Sequence, residues 1–182
     1  MIETSHGLDN IYDQVERRTA LKQRSQEPKD RLDDSFVVTP EDRDLIHDLA
    51  MEGASVLASH AKMIRNSAQT GIEALTYQCC YDSDPAMGVE TDANMKLISD
   101  TDKPVRIAFK IAGLEKKTTE EKSVVQQFIH SALIHYILYK WYQIKGYSQW
   151  ASEDFTEHMR FADLVKTNAV ITKTHRRKPT YL

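Results

Sequence analysis

The stretch TTEEKSVVQQFIHSALIHYILYKWYQIKG, residues 118–146, decides how the rest of the chain is read. It opens with Thr118 three residues before Glu121, the reciprocal spacing of a helix capping box. It closes with Gly146 just after Lys145, the usual left-handed exit with a cation in the last turn. No Pro or Gly interrupts the roughly 25 residues between, which at helical rise make a rod of about 40 Å. Two apolar rows run along it. One is Val125, Phe128 or Ile129, Ala132, Tyr136 and Tyr139; the other is Ile129, Leu133, Ile137, Trp141 and Ile144. A surface helix carries one apolar stripe, so two adjacent rows predict a central helix packed on more than one side.

The flanks of this helix supply the other elements. Upstream, Thr39-Pro40-Glu41-Asp42 sets a capping hydroxyl, a proline in the first helical position and two acids in the first turn. A helical period follows through Leu45, Ile46, Leu49, Gly53, Val56, Leu57 and Ile64, with an end expected near Asn66 to Gly71. Gly53 and the small residues Ala50, Ala54, Ala58 and Ala61 allow close approach of another helix. Downstream, Ser148 or Ser152 caps a further helix whose buried face carries Ala151, Phe155, Met159, Ala162 and Ala169. The short link after Gly146 makes it an antiparallel neighbour of the central helix.

Between the first two of these helices the period changes from 3.6 to 2. Leu75, Tyr77, Cys79 and Tyr81 alternate with polar neighbours, as do Val105, Ile107, Phe109 and Ile111. They predict a two-stranded ribbon joined by the long, Asp- and Gly-rich connection 83–104, in which Met95 to Ile98 offers a further short strand. Two strands alone are marginal in water, so the ribbon must rest on the helices or be completed by a neighbour.

Residues 1–35 are the most polar part. Ile11, Tyr12, Val15 and Leu21 lie at near-helical spacing after an Asp9 or Asn10 cap. The segment is too thinly apolar to offset its own ordering entropy. Two readings stand: a disordered tail, or an arm that orders on a neighbouring subunit. The expected organisation is an arm over 1–35 and a core over 36–182. The core carries an insertion at about 72–113 and a basic tail at 173–182. The fold class is mainly α with a minor α+β part: an antiparallel bundle of about three long helices bearing the ribbon.

Composition narrows the function. The 182 residues are 41% hydrophobic and 28% charged with a net charge of −3, and the pI is near 6.2. These values fit one globular domain and oppose broad attraction to nucleic acid. Met1 to Arg31 holds no apolar signal region, and Gln126, Gln127, His130, His135 and Lys140 break the central helix as a membrane span. A soluble, non-secreted chain is expected. Cys79 and Cys80 are adjacent, which opposes a mutual disulfide and falls short of a metal site.

No Gly-rich phosphate loop, nucleophile elbow or Cys-His cluster is present. His130 and His135 diverge by about 140° round a helix and make a poor metal pair. Glu157 and His158 are adjacent helix positions that do not face each other. A non-enzymatic chain without cofactor or metal is expected. The residues left to consider are Tyr136, Tyr139, Trp141, Tyr142, Tyr147 and Trp150, crowded at one end of the central helix. Most are core, yet six exceed what one hairpin end hides, and Trp and Tyr anchor interfaces. The candidate interface is therefore Ile11, Tyr12, Val15, Tyr139, Trp141, Tyr142, Tyr147 and Trp150. Lys173, Arg176, Arg177 and Lys178 are candidate contacts to phosphates or to an acidic partner.

Taken in this order, the chain resembles the small, mostly helical neck proteins of tailed phages, notably those of Bacteroides-infecting phages and prophages. The likeness rests on Ile11-Tyr12-Asp13-Gln14-Val15, on Val38-Thr39-Pro40-Glu41-Asp42-Arg43, on His135-Tyr136-Ile137-Leu138-Tyr139-Lys140-Trp141 and on Arg176-Arg177-Lys178-Pro179. It spans most of the chain as a pattern of elements with short similar runs. The resemblance implies a head-tail connector or adaptor that assembles as a homo-oligomeric ring beneath the portal. Terminal arms and loops would bind neighbours and other neck and tail proteins, with passing contact to packaged DNA. It places the protein in the virion neck, and in the host cytoplasm during assembly. The alternatives are a cytoplasmic nucleic-acid-binding regulator using the basic tail, and a small helical enzyme, which no constellation supports.

Overall fold

The N-terminal residues enter the body of the protein as a strand and a helix. In the computed structural model the described residues are 2–25, 36–61, 75–81, 104–111 and 118–169. Strand β1 (Ile2–Gly7) runs without a loop into α1 (Leu8–Ser25). A short 3-10 turn, Pro40–Asp42, leads into α2 (Arg43–His60). Strands β2 (Leu75–Tyr81) and β3 (Pro104–Ile111) follow, then α3 (Thr119–Ile144) and α4 (Ser148–Ala169). The chain is mainly helical, with four α-helices and a small antiparallel sheet among the described residues.

The helix boundaries follow local chemistry. Thr118 N–H donates to Glu121 Oε2 at 2.8 Å while Glu121 N–H donates to Thr118 Oγ1 at 3.3 Å, the predicted reciprocal cap. Thr39 N–H donates to Asp42 Oδ2 in the same way at 2.9 Å. At the far end of α3, Gly146 takes φ +82°, Gly146 N–H bonds Gln143 O and Tyr147 N–H bonds Tyr142 O. That pair of bonds is the Schellman exit, and it lets α4 begin at Ser148 directly after Tyr147.

Helix α3 is the axis. It lies along α4 as an antiparallel hairpin and also packs on α2 and α1. Its two apolar rows are covered except at their far ends: Val125, Ile129, Ala132, Leu133, Tyr136, Ile137 and Trp141 are buried, as are Ile134 and Leu138 beside them, while Tyr139 is half-buried and Ile144 exposed. Lys140 and Glu52 bridge α3 to α2 at 3.0 Å, and Lys22 and Glu153 bridge α1 to α4 at 3.2 Å.

Two expectations require correction. Residues 2–25 of the expected arm are part of this body: Leu8, Ile11 and Val15 are fully buried and Tyr12 is 5% exposed. The apolar stripe is thin, as its spacing implies, but it closes a core already built by the other helices and has no need to stand alone. Leu21 is left 63% exposed. The ribbon, expected to have two strands and to rest on the helices or be completed by a neighbour, gains a third strand from the same chain. The order is β1-β3-β2, with β3 central and both pairings antiparallel. Thr4 and Tyr77 both lie opposite Phe109, which is buried with Ile107 in the common core.

The expected helical end at 66–71, the short strand at 95–98, the connection through 83–103, and the tail residues Lys173, Arg176, Arg177 and Lys178 lie outside the described residues.

Candidate interaction surface

The aromatic residues at the end of α3 surround one side chain from far upstream. Phe36 is fully buried, with its ring stacked on Tyr142 at 5.4 Å and met edge-on by Tyr147 at 5.1 Å and Trp150 at 5.2 Å. Its backbone carbonyl accepts a 2.9 Å bond from Trp141 Nε1–H, which satisfies the one polar atom of a buried indole. Val38 N–H donates to Thr19 Oγ1, tying this segment to α1. The excess of aromatic surface is thus filled from within. Trp141 and Tyr142, with Ile11, Tyr12 and Val15, are core residues and cannot form an interface between subunits while the fold is intact. No local signal marks Phe36 as the residue that fills this end, because the match is made across more than 100 positions.

What remains outside is smaller. Tyr139, Tyr147 and Trp150 are half-buried against the core. Tyr139 meets Phe155 of α4 at 5.0 Å, and Phe155 is 43% exposed. The two rings line a groove of about 490 Å³ with Ala151, Gln143, Ser148 and Ser152, at the turn between α3 and α4. Ile144, one turn beyond Lys140, is 56% exposed. Phe155 was expected on the buried face of α4, and only its inner edge is covered. The groove combines apolar floor with amide and hydroxyl rim, which is the composition of a protein contact.

A second group of polar residues lies where α1, α3 and α4 meet. Arg18 Nη1 is 3.2 Å from His135 Nε2, and His135 Nδ1 is 2.6 Å from Asp154 Oδ1. A guanidinium only donates, so Nε2 accepts and the ring proton sits on Nδ1, donated to the carboxylate. His135 also stacks on Phe161 at 5.6 Å. The arrangement resembles the base-and-orienter half of a catalytic triad, but Arg18 occupies the position a nucleophile would need. It holds three helices in register.

At the next position of α3, Tyr136 O–H donates to Glu52 Oε1 at 2.7 Å, and with Lys140 it holds the Glu52 carboxyl below its ordinary range. Burial raises the Tyr136 phenol above its ordinary value, so the proton stays on the donor. His158, 1% exposed, donates from Nδ1 to Ala132 O at 2.9 Å. Among the described residues, no three His, Cys, Asp or Glu are grouped to hold a metal ion, and no helix is long and apolar enough to cross a membrane.

No family model matches the chain, and neither a curated protein nor a solved structure does.

Proposed function

We propose that the chain is a structural head-tail connector subunit of a tailed phage, joining portal to tail components through ring assembly and carrying out no catalysis. The observation that carries this reading is the α3–α4 groove, where Tyr139 and Phe155 present aromatic surface beside a polar rim. An adaptor needs a stiff body with contacts on its outside, and a core shared by four helices and a sheet is consistent with such a body. The likeness of the Val38–Arg43 and His135–Trp141 runs to phage neck proteins supports the same reading. The contact surface proposed is Tyr139, Tyr147, Trp150 and Phe155, which replaces the larger set containing Ile11, Tyr12, Val15, Trp141 and Tyr142.

The test is assembly. Mixed with a portal protein of its own phage, the chain gives ring complexes visible by electron microscopy and light scattering. Phe155→Asp, at an exposed site, abolishes rings while circular dichroism stays unchanged. A strict monomer that ignores the portal overturns the reading. If that monomer binds duplex DNA, loses the binding steeply with salt and loses it again when Arg176 and Arg177 are removed, the regulator reading replaces it.

A further inference from the structure

A groove of about 590 Å³ opens between the β1–α1 junction and the middle of α3. Its lining is amide, hydroxyl and imidazole, including Asn10, Gln14, Gln126 and Gln127, with no acidic side chain among the lining residues. His6, from the end of β1, and His130, from α3, stack there with ring centroids 5.4 Å apart and planes 17° from parallel. His6 is only 5% exposed, and its Nε2 is buried without a hydrogen-bond partner among the described residues. Phe109 meets the same ring edge-on at 5.8 Å.

This seat suits a neutral imidazole and opposes an imidazolium. Protonation makes both ring nitrogens donors, and the buried Nε2–H then has no acceptor. The surrounding groups offer no compensating negative charge. From β3 come Phe109 and Ile107, the latter in register with His6, and Arg106 lies opposite Gly7. From α1 come the amides of Asn10 and Gln14, while the Asp9 carboxylate is exposed and paired with Arg43 at 2.8 Å. Glu3, the acid of β1 itself, is in register with Lys110 near the start of the strand. From α3 comes His130, whose charge opposes a second charge on His6, and Arg18 of α1 acts on His130 in the same sense.

The strand that carries His6 is built to come away. β1 is six residues long, lies at an edge of the sheet and pairs with β3 alone among the described residues. Gly7 joins it to α1, and no atom lies within 4 Å of where a Cβ would stand, so the backbone turns there without a packing clash. Just beyond, Leu8, Ile11 and Val15 are fully buried and hold α1 in place. We propose that the His6–His130 stack is an acid-sensitive latch: protonation of His6 undocks β1, which turns at Gly7 and bares the edge of β3, while α1 and the α3–α4 hairpin stay folded. Such a local opening lies below global unfolding in free energy.

The direction follows from the docked ring. Burial first, and then His130, bring docked His6 from 6.5 down to about 4, whereas the released ring is solvated and ordinary. The latch therefore holds fully above about pH 6.5 and weakens as pH falls from there toward about 4. Between pH 7 and pH 5 the ratio of released to docked β1 rises roughly twentyfold through His6 alone.

The experiment follows amide hydrogen exchange of the full chain by NMR between pH 7 and pH 5, corrected for the intrinsic pH dependence of exchange. The β1 amides are expected to exchange through their own opening, ahead of the α3 amides, and that opening rises roughly twentyfold on acidification. His6→Phe, which keeps an aromatic ring and removes the proton site, abolishes the rise. His158→Gln, which flattens only the global profile, keeps it. The parent alone supplies a second reading: the docked His6 ring stays neutral at pH 6.5 and titrates only as β1 is released. A corrected β1 rate that is flat from pH 7 to pH 5, β1 amides that exchange only together with those of α3, a rise that persists in His6→Phe, or a docked His6 that titrates at its ordinary value overturns the proposal. The latch stands independently of the connector reading.

Discussion

Gly53 of α2 lies so close to Tyr136 of α3 that a Cβ built on the glycine sits 2.8 Å from Tyr136 Cδ1 and 3.3 Å from Cγ. The ring cannot swing away freely, because Tyr136 is 3% exposed and its hydroxyl is bonded to Glu52. Gly53→Ala therefore forces the helices apart. Overpacking costs about 1–3 kcal/mol, against about 1 kcal/mol gained in helix propensity. A lowered urea midpoint is expected, and an unchanged or raised one shows that the contact yields.

Phe36 plugs the aromatic end of the α3–α4 hairpin. Phe36→Ala leaves Tyr142, Tyr147 and Trp150 around a void and costs about 3–5 kcal/mol. Tryptophan emission moves to the red as Trp150 meets water. An unshifted spectrum with parental stability means that the cluster closes without Phe36.

The N-terminal segment belongs to the core. Removing residues 1–25 strips β1 from the sheet and uncovers the seat of Ile11 and Val15, so cooperative unfolding is lost and a hydrophobic dye binds. A milder change, Ile11→Ala, costs about 2–5 kcal/mol. A truncated chain that unfolds with parental cooperativity refutes this placement.

His158 makes stability depend on pH. Burial lowers its pKa from the ordinary 6.5, opposed in part by its bond to Ala132 O and assisted by His60 and His135; the Tyr136 and Phe155 rings complete its surroundings. The unfolded chain thus takes up a proton at higher pH than the folded one. Stability is full above about pH 6.5 and falls as pH drops through that value toward the lowered folded pKa. His6 and His130 act in the same direction. Urea midpoints measured from pH 8 down to pH 5 should decline, with a smaller decline in His158→Gln. A flat profile excludes the linkage.

The cap of α3 is local and separable. Thr118→Ala removes one half of the reciprocal bond with Glu121 and costs about 1 kcal/mol. Thr118→Ala combined with Glu121→Ala costs less than the sum of the singles, since both break one unit. Strict additivity in denaturation would refute the coupling.

The sequence by itself determined the elements whose causes are local. Thr118 with Glu121, Thr39 with Asp42, and Gly146 act within a few residues, so the starts of α2 and α3 and the exit from α3 were legible. The alternation of β2 and β3 and the double apolar face of α3 were legible for the same reason, and they led to a mainly helical chain with a small sheet. Tertiary structure decided which surface each apolar group meets. Phe36 fills a cage more than 100 residues away, β1 completes the sheet, and α1 closes the core, although its own stripe is too thin to order it alone. His6 reaches His130 by the same route. Such pairings depend on the sum of burial over the assembled body, and no window of neighbouring residues contains that sum.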